Sequence, residues 1–78
     1  MDVRRRVGLN LKRLRLEKGL SQEELAFQAK LHRTYVSGVE RGVRNPTVTV
    51  LEAIAAALGV ASSRLLEEAT GAAASKQG

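Results

Sequence analysis

Arg33, Thr34 and Ser37 fall on one face of a short segment, and their side chains carry the groups that recognise a polar, charged partner. A guanidinium can donate two hydrogen bonds to guanine O6 and N7, for about 1–3 kcal/mol of discrimination, or it can pair with a phosphate. Thr34 offers a methyl to thymine or a hydroxyl to a base or phosphate. Other chemistry lacks its parts. With no Cys and one His, the chain can assemble neither a disulfide framework nor a thiolate or zinc site. Glu23 with Glu24, and Glu67 with Glu68, are neighbours on helices, where adjacent side chains point about 100° apart, so they serve caps or solvated faces. No nucleophile and base constellation, phosphate loop or metal cluster is present, so no enzyme activity, cofactor or small-molecule ligand is expected.

The net charge of +5 is unevenly placed. Residues 1–46 hold eleven Lys or Arg against five Asp or Glu, and residues 47–78 hold two against three, so the basic charge lies with the recognition segment. A one-sided basic surface concentrates phosphate polyanions, although a solvated basic helix would carry the same charge. Seventy-eight residues make a single domain of limited core, for which oligomerisation is expected. No apolar run approaches the roughly 20 residues that cross a bilayer, and MDVRRRVGLN lacks the apolar region of a signal peptide. A cytoplasmic protein without membrane association is expected.

Five helical segments must position these side chains. Val7, Leu11, Leu14 and Lys18 recur at helical spacing, which predicts a first helix over Val3–Lys18 stopped by Gly19. Leu9 and Leu16 lie off that stripe and either widen its apolar face or leave a second patch for another helix. Ser21 with Glu24 makes a capping box, and Leu20 is placed to pack before it as a staple. A second helix follows with Leu25, Ala26 and Ala29 inward, then a turn at Lys30 and Leu31. Tyr35, Val36 and Val39 supply the apolar face of a third helix over 32–41, stopped by Gly42. Thr47, after Pro46, caps a fourth with the stripe Leu51, Ile54, Ala55 and Leu58, closed by Gly59. A short fifth helix over 62–69 carries Leu65 and Leu66. The result is all-α, a compact five-helix bundle containing a helix-turn-helix.

The run 21–42, SQEELAFQAKLHRTYVSGVERG, resembles the phage-repressor or Xre-type helix-turn-helix family. Gln22 opens the second helix as in that family, small Ala26 lets the two helices cross closely, and aliphatic Val36 anchors the third. The flanking RLEKGLSQEEL and ERGVRNPTVTVLEAIAAALGV extend the likeness over residues 7–68. Lys30 departs from the pattern, since it stands where the family often has a glycine with positive φ, a conformation that costs a non-Gly residue about 1 kcal/mol. The stretch 31–45, LHRTYVSGVERGVRN, is similar in particular to the controller proteins of restriction-modification systems.

The resemblance implies a lambda-repressor-like DNA-binding domain over residues 1–70, with a small and polar tail over 71–78. In this motif the amino-terminal part of the third helix enters the major groove, so Arg33, Thr34 and Ser37 face bases and Gly38 allows close approach. Gln22 corresponds to the family residue that holds the DNA backbone and buttresses the base contacts. Arg44 and Asn45 lie where the family's loop follows the backbone; Asn45 could instead cap the fourth helix. Tyr35 reaches the backbone through its hydroxyl or packs on the second helix. Arg15 and Glu40 match the family's structural ion pair. His32 caps the third helix or meets a phosphate. Arg4, Arg5 and Arg6 make a basic arm or a solvated helix start.

A single recognition helix reads too few base pairs for selective binding, whereas a homodimer reads half-sites about 34 Å apart on a pseudo-palindromic operator. The expected dimer surface is Val60, Leu65 and Leu66, with one of the two leucines completing the core. Double-stranded DNA is the expected partner, and an activator would also contact RNA polymerase. A protein-binding adaptor or antitoxin-like module on the same fold is the alternative. It would have no use for Arg33 or Arg44.

Overall fold

The computed structural model describes residues 2–68. They form four α-helices, α1 (Val3–Lys18), α2 (Gln22–Ala29), α3 (Arg33–Glu40) and α4 (Val48–Leu58), and a 3-10 helix at Ser62–Leu66. The expected tail over 71–78 lies outside the described residues. No helix among the described residues is long and apolar enough to cross a membrane.

Three of the four α-helices start where the sequence supplies a side-chain cap. Asp2 accepts from the Arg4 N–H at 2.7 Å to open α1. At α2 the capping box closes in both directions, Glu24 N–H to Ser21 Oγ at 2.9 Å and Ser21 N–H to Glu24 Oε1 at 2.8 Å. Thr47 Oγ1 takes the Val50 N–H at 3.1 Å, so the cap of α4 belongs to Thr47 and not to Asn45. His32 precedes α3 without a side-chain cap bond. The turn between α2 and α3 is held by Lys30 in the left-handed region, φ 61°, as its place in the motif implied.

α1 packs on α3 and the 3-10 helix, α2 on α3 and α4, and α4 on the 3-10 helix. The core between them is Val7, Leu11 and Leu14 of α1, Leu25 and Ala26 of α2, Val36 and Val39 of α3, and Leu51, Ile54, Ala55 and Leu58 of α4. Leu9 and Leu16 do not join it. They stay 40% and 58% exposed, because the side of α1 that meets its neighbours is filled by Asn10 and Arg15 together with the Val7, Leu11 and Leu14 stripe.

The last element is a 3-10 helix, a correction to the fifth α-helix expected over 62–69. Buried Asn10 explains the early stop. Its Nδ2 donates to the carbonyls of Leu65, at 2.9 Å, and Glu67, at 2.7 Å. Glu67 is extended, and the carbonyls at the end of this short turn are satisfied by α1 instead of by a further helical turn.

Gly8 makes the closest approach between α1 and α3. A Cβ there would lie 2.5 Å from the Glu40 carbonyl oxygen and closer still to that of Val39. The two helices therefore meet backbone to backbone. That contact sets the depth at which α3 is seated.

Candidate nucleic-acid interface

α3 is divided lengthwise. Val36 and Val39 are fully buried, and the opposite side presents Arg33 and Thr34 exposed with Ser37 half-buried. Arg33 and Thr34 make no side-chain hydrogen bond to the described residues, and Ser37 Oγ receives only a long 3.4 Å contact from Arg41 Nε. The donors and acceptors of this face are therefore open to a partner. Arg41, one turn beyond Ser37, lies on the same flank; its i+4 spacing from Ser37 was the signal that sequence reasoning passed over.

Beneath this face runs a buried ionic network. Glu40 receives Arg15 Nε at 2.6 Å, a second Arg15 nitrogen at 3.1 Å, and Gln22 Nε2 at 3.0 Å. Arg15 also donates to the Leu20 carbonyl at 2.8 Å. The Arg15 and Glu40 side chains are only 9% and 4% exposed, so the pair is tolerable in the interior because both charges are bonded in the plane and further satisfied. It joins α1, α2 and α3 at one carboxylate. Gln22, expected at the DNA backbone, thus uses one amide N–H inward. Its position at the amino terminus of α2 leaves its remaining polar groups beside the free N–H groups of that helix.

Gly38 is buried, and within the chain it permits the close approach of the loop after α3, since a Cβ there would meet Arg44 Cγ at 2.6 Å. Arg44 extends from that loop with its guanidinium 5.7 Å from the centroid of the Tyr35 ring, within cation–π range. Tyr35 is partly buried against the core, and Arg44 and Asn45 are exposed.

The expected dimer residues separate. Leu65 is fully buried in the chain's own core and has no surface to offer a partner. Leu66 is 44% exposed and borders a hollow of about 110 Å³ with Val3, Arg4, Val7, Asn45, Pro46 and Leu51, while Val60 is half-buried against the core. Two of the three arginines at the start of α1 are in ion pairs. Arg4 pairs with Asp2 at 3.1 Å and Arg6 with Glu68 at 3.4 Å. No group of three metal-ligating side chains occurs among the described residues.

The family model described as helix-turn-helix matches residues 11–65. The chain is 50% identical over 66 residues to the uncharacterised HTH-type transcriptional regulator y4dJ of Sinorhizobium fredii, covering 85% of this chain and 86% of that one. It is 44% identical over 70 residues to the control protein C.BamHI of Bacillus amyloliquefaciens, covering 88% and 86%. Among solved structures it is similar to the restriction-modification controller protein C.Esp1396I, a tetramer in complex with its natural 35-base-pair operator, with TM-score 0.76, 42% identity and coverage of 83% and 86%. The matched residues run from α1 through the 3-10 helix, taking in the capped turn, the divided α3 and the buried pair beneath it, and on these grounds the chain belongs to the Xre-type helix-turn-helix family.

Proposed function

We propose that this protein is a sequence-specific DNA-binding regulator of transcription that acts as a homodimer on a pseudo-palindromic operator. The observation that carries the reading is the outward side of α3, where Arg33 and Thr34 are exposed and take no part in the core, with half-buried Ser37 beside them. Arg33 and Thr34 read base edges in the major groove, Ser37 supports them, and Arg44, Asn45 and the amino terminus of α2 with Gln22 hold phosphates. Tyr35 serves the backbone through Arg44. The operator complex of C.Esp1396I supports the same mode for this chain. The dimer face is assigned to Leu66 and the hollow beside it, with Val60 at its edge. RNA polymerase would be a further partner only if the protein activates.

The test uses duplexes selected by the parent protein from a randomised library. Arg33→Ala should relax preference at one position of the selected site. Arg44→Ala should weaken all sequences alike and lower the log-log salt slope by about 0.9. Parent-like binding by both variants would remove the docking described above. In light scattering the parent should have the mass of a dimer and Leu66→Asp that of a monomer. The likeness to C.BamHI and C.Esp1396I favours a controller role in a restriction-modification system. Genes for a methyltransferase and an endonuclease beside this one would support that role, and their absence would leave a general regulator.

A further inference from the structure

Glycine weakens the interior of a helix, and the reading face of α3 has no need of one at position 38. The need comes from the loop after α3. The Gly38 carbonyl accepts from the N–H groups of Val43, at 3.0 Å, and Arg44, at 3.3 Å, which turns the chain back over the helix. A Cβ at position 38 would lie 2.6 Å from Arg44 Cγ and 3.5 Å from Arg44 Nε. The Arg44 stem therefore lies along α3 in the space that a side chain would fill. Three residues earlier on the same flank, the Tyr35 ring receives the guanidinium at 5.7 Å.

We propose that Gly38 and Tyr35 form a seat that preorganises Arg44 for phosphate, which makes Gly38 a positioning residue for DNA binding. The inference rests on the assignment of Arg44 to the DNA backbone. A long, free arginine loses rotamer freedom when it binds a phosphate, whereas a seated one has given up that freedom on folding. The bare Cα of Gly38 admits the stem, the paired N–H bonds fix its root, and the ring supports its charged end. A residue with any side chain at 38 would lift the arginine away from the helix.

The experiment compares Gly38→Ala, Arg44→Ala and the double variant on a mixed-sequence duplex of about 30 base pairs, long enough for two half-sites. Gly38→Ala should remain folded and melt close to the parent temperature, because the helix preference of Ala offsets the displacement of the Arg44 stem at Cγ. Its affinity should nevertheless fall by about 2- to 12-fold, the range for immobilising one long side chain on binding. The double variant should bind no worse than Arg44→Ala alone. Parent-like binding by Gly38→Ala beside a weakened Arg44→Ala, or losses that multiply in the double variant, would overturn the seat and leave the functional reading standing. Parent-like binding by Arg44→Ala would remove the phosphate assignment and the seat with it. A second measurement depends on neither variant at 38. In the free parent protein the Arg44 Cδ protons should be shifted upfield by the Tyr35 ring and return in Tyr35→Leu, and ordinary Arg44 shifts in the parent would also overturn the proposal.

Discussion

Gly8→Ala adds one methyl group where α1 meets α3, and the structure indicates what that methyl would do. It would stand 2.5 Å from the carbonyl oxygen and 2.9 Å from the carbonyl carbon of Glu40, where ordinary contact begins at 3.4 Å. The end of α3 would have to retreat by roughly 1 Å. Both obstacles are backbone, so no side chain can swing aside. Overpacking of this kind costs about 1–3 kcal/mol, and the upper end applies here. Replacing a glycine inside a helix by alanine returns about 1 kcal/mol. The expected net loss is about 2 kcal/mol, or roughly 8–16 °C in midpoint for a domain of this size. Urea unfolding followed by helical circular dichroism measures it. Gly19→Ala is the reference, since nothing lies within 4 Å of a Cβ there and only its φ of 78° opposes the change, at about 1 kcal/mol. If Gly8→Ala were as stable as the parent, or lost less than Gly19→Ala, the backbone contact described for α1 and α3 would be refuted.

Three further outcomes are expected. Glu40→Ala should cost about 3–5 kcal/mol in the same unfolding assay, because it leaves the Arg15 guanidinium charged and unpaired in the interior; a loss below about 1 kcal/mol would mean that the pair behaves as a surface ion pair. Lys30→Gly should raise stability slightly, by up to about 1 kcal/mol, by relieving the positive φ at the turn, and a drop would show that the lysine side chain contributes more than its backbone costs. Asp2 has its carboxyl held below the ordinary carboxylate value, chiefly by the side-chain hydrogen bond from Arg4 and then by the Arg4 backbone N–H. Because the folded value is the lower one, its contribution is complete above the unfolded value and is lost as pH falls through the folded value. Amide exchange in the first turn of α1 should accelerate over that acid range in the parent but not in Asp2→Asn, and identical profiles would exclude the cap.

Local signals were legible in the sequence where local chemistry decides the outcome. The bounds of α1, the Ser21 and Glu24 capping box, the Thr47 cap and the buried stripe of α4 each follow from residues within one or two turns of one another, whereas the left-handed Lys30 was implied by the family resemblance. The Arg15 and Glu40 pair was legible only through the family resemblance, since 25 residues separate its members. What escaped was decided by packing between distant elements. Asn10 shares the face of Val7, Leu11 and Leu14, but its partners are carbonyls far along the chain. The same bonds explain why a helix expected over 62–69 stops as a 3-10 turn. Leu65 and Leu66 were indistinguishable until the direction of that turn sent one inward. Gly8 and Gly38 have no side chain to form a pattern, so their roles emerge only once a neighbouring backbone or arginine is found against them.

The lengthwise division of α3 has a consequence for how such a regulator can change over time. Val36 and Val39, which hold the helix in place, are distinct from Arg33 and Thr34, which are offered to a partner, and only half-buried Tyr35 and Ser37 stand between the two sets. Mutation can therefore rewrite Arg33 and Thr34 without passing through unstable intermediates. A new preference can arise by drift on a scaffold that remains the same, and duplicated copies of the gene could part company in what they bind while remaining interchangeable in how they fold.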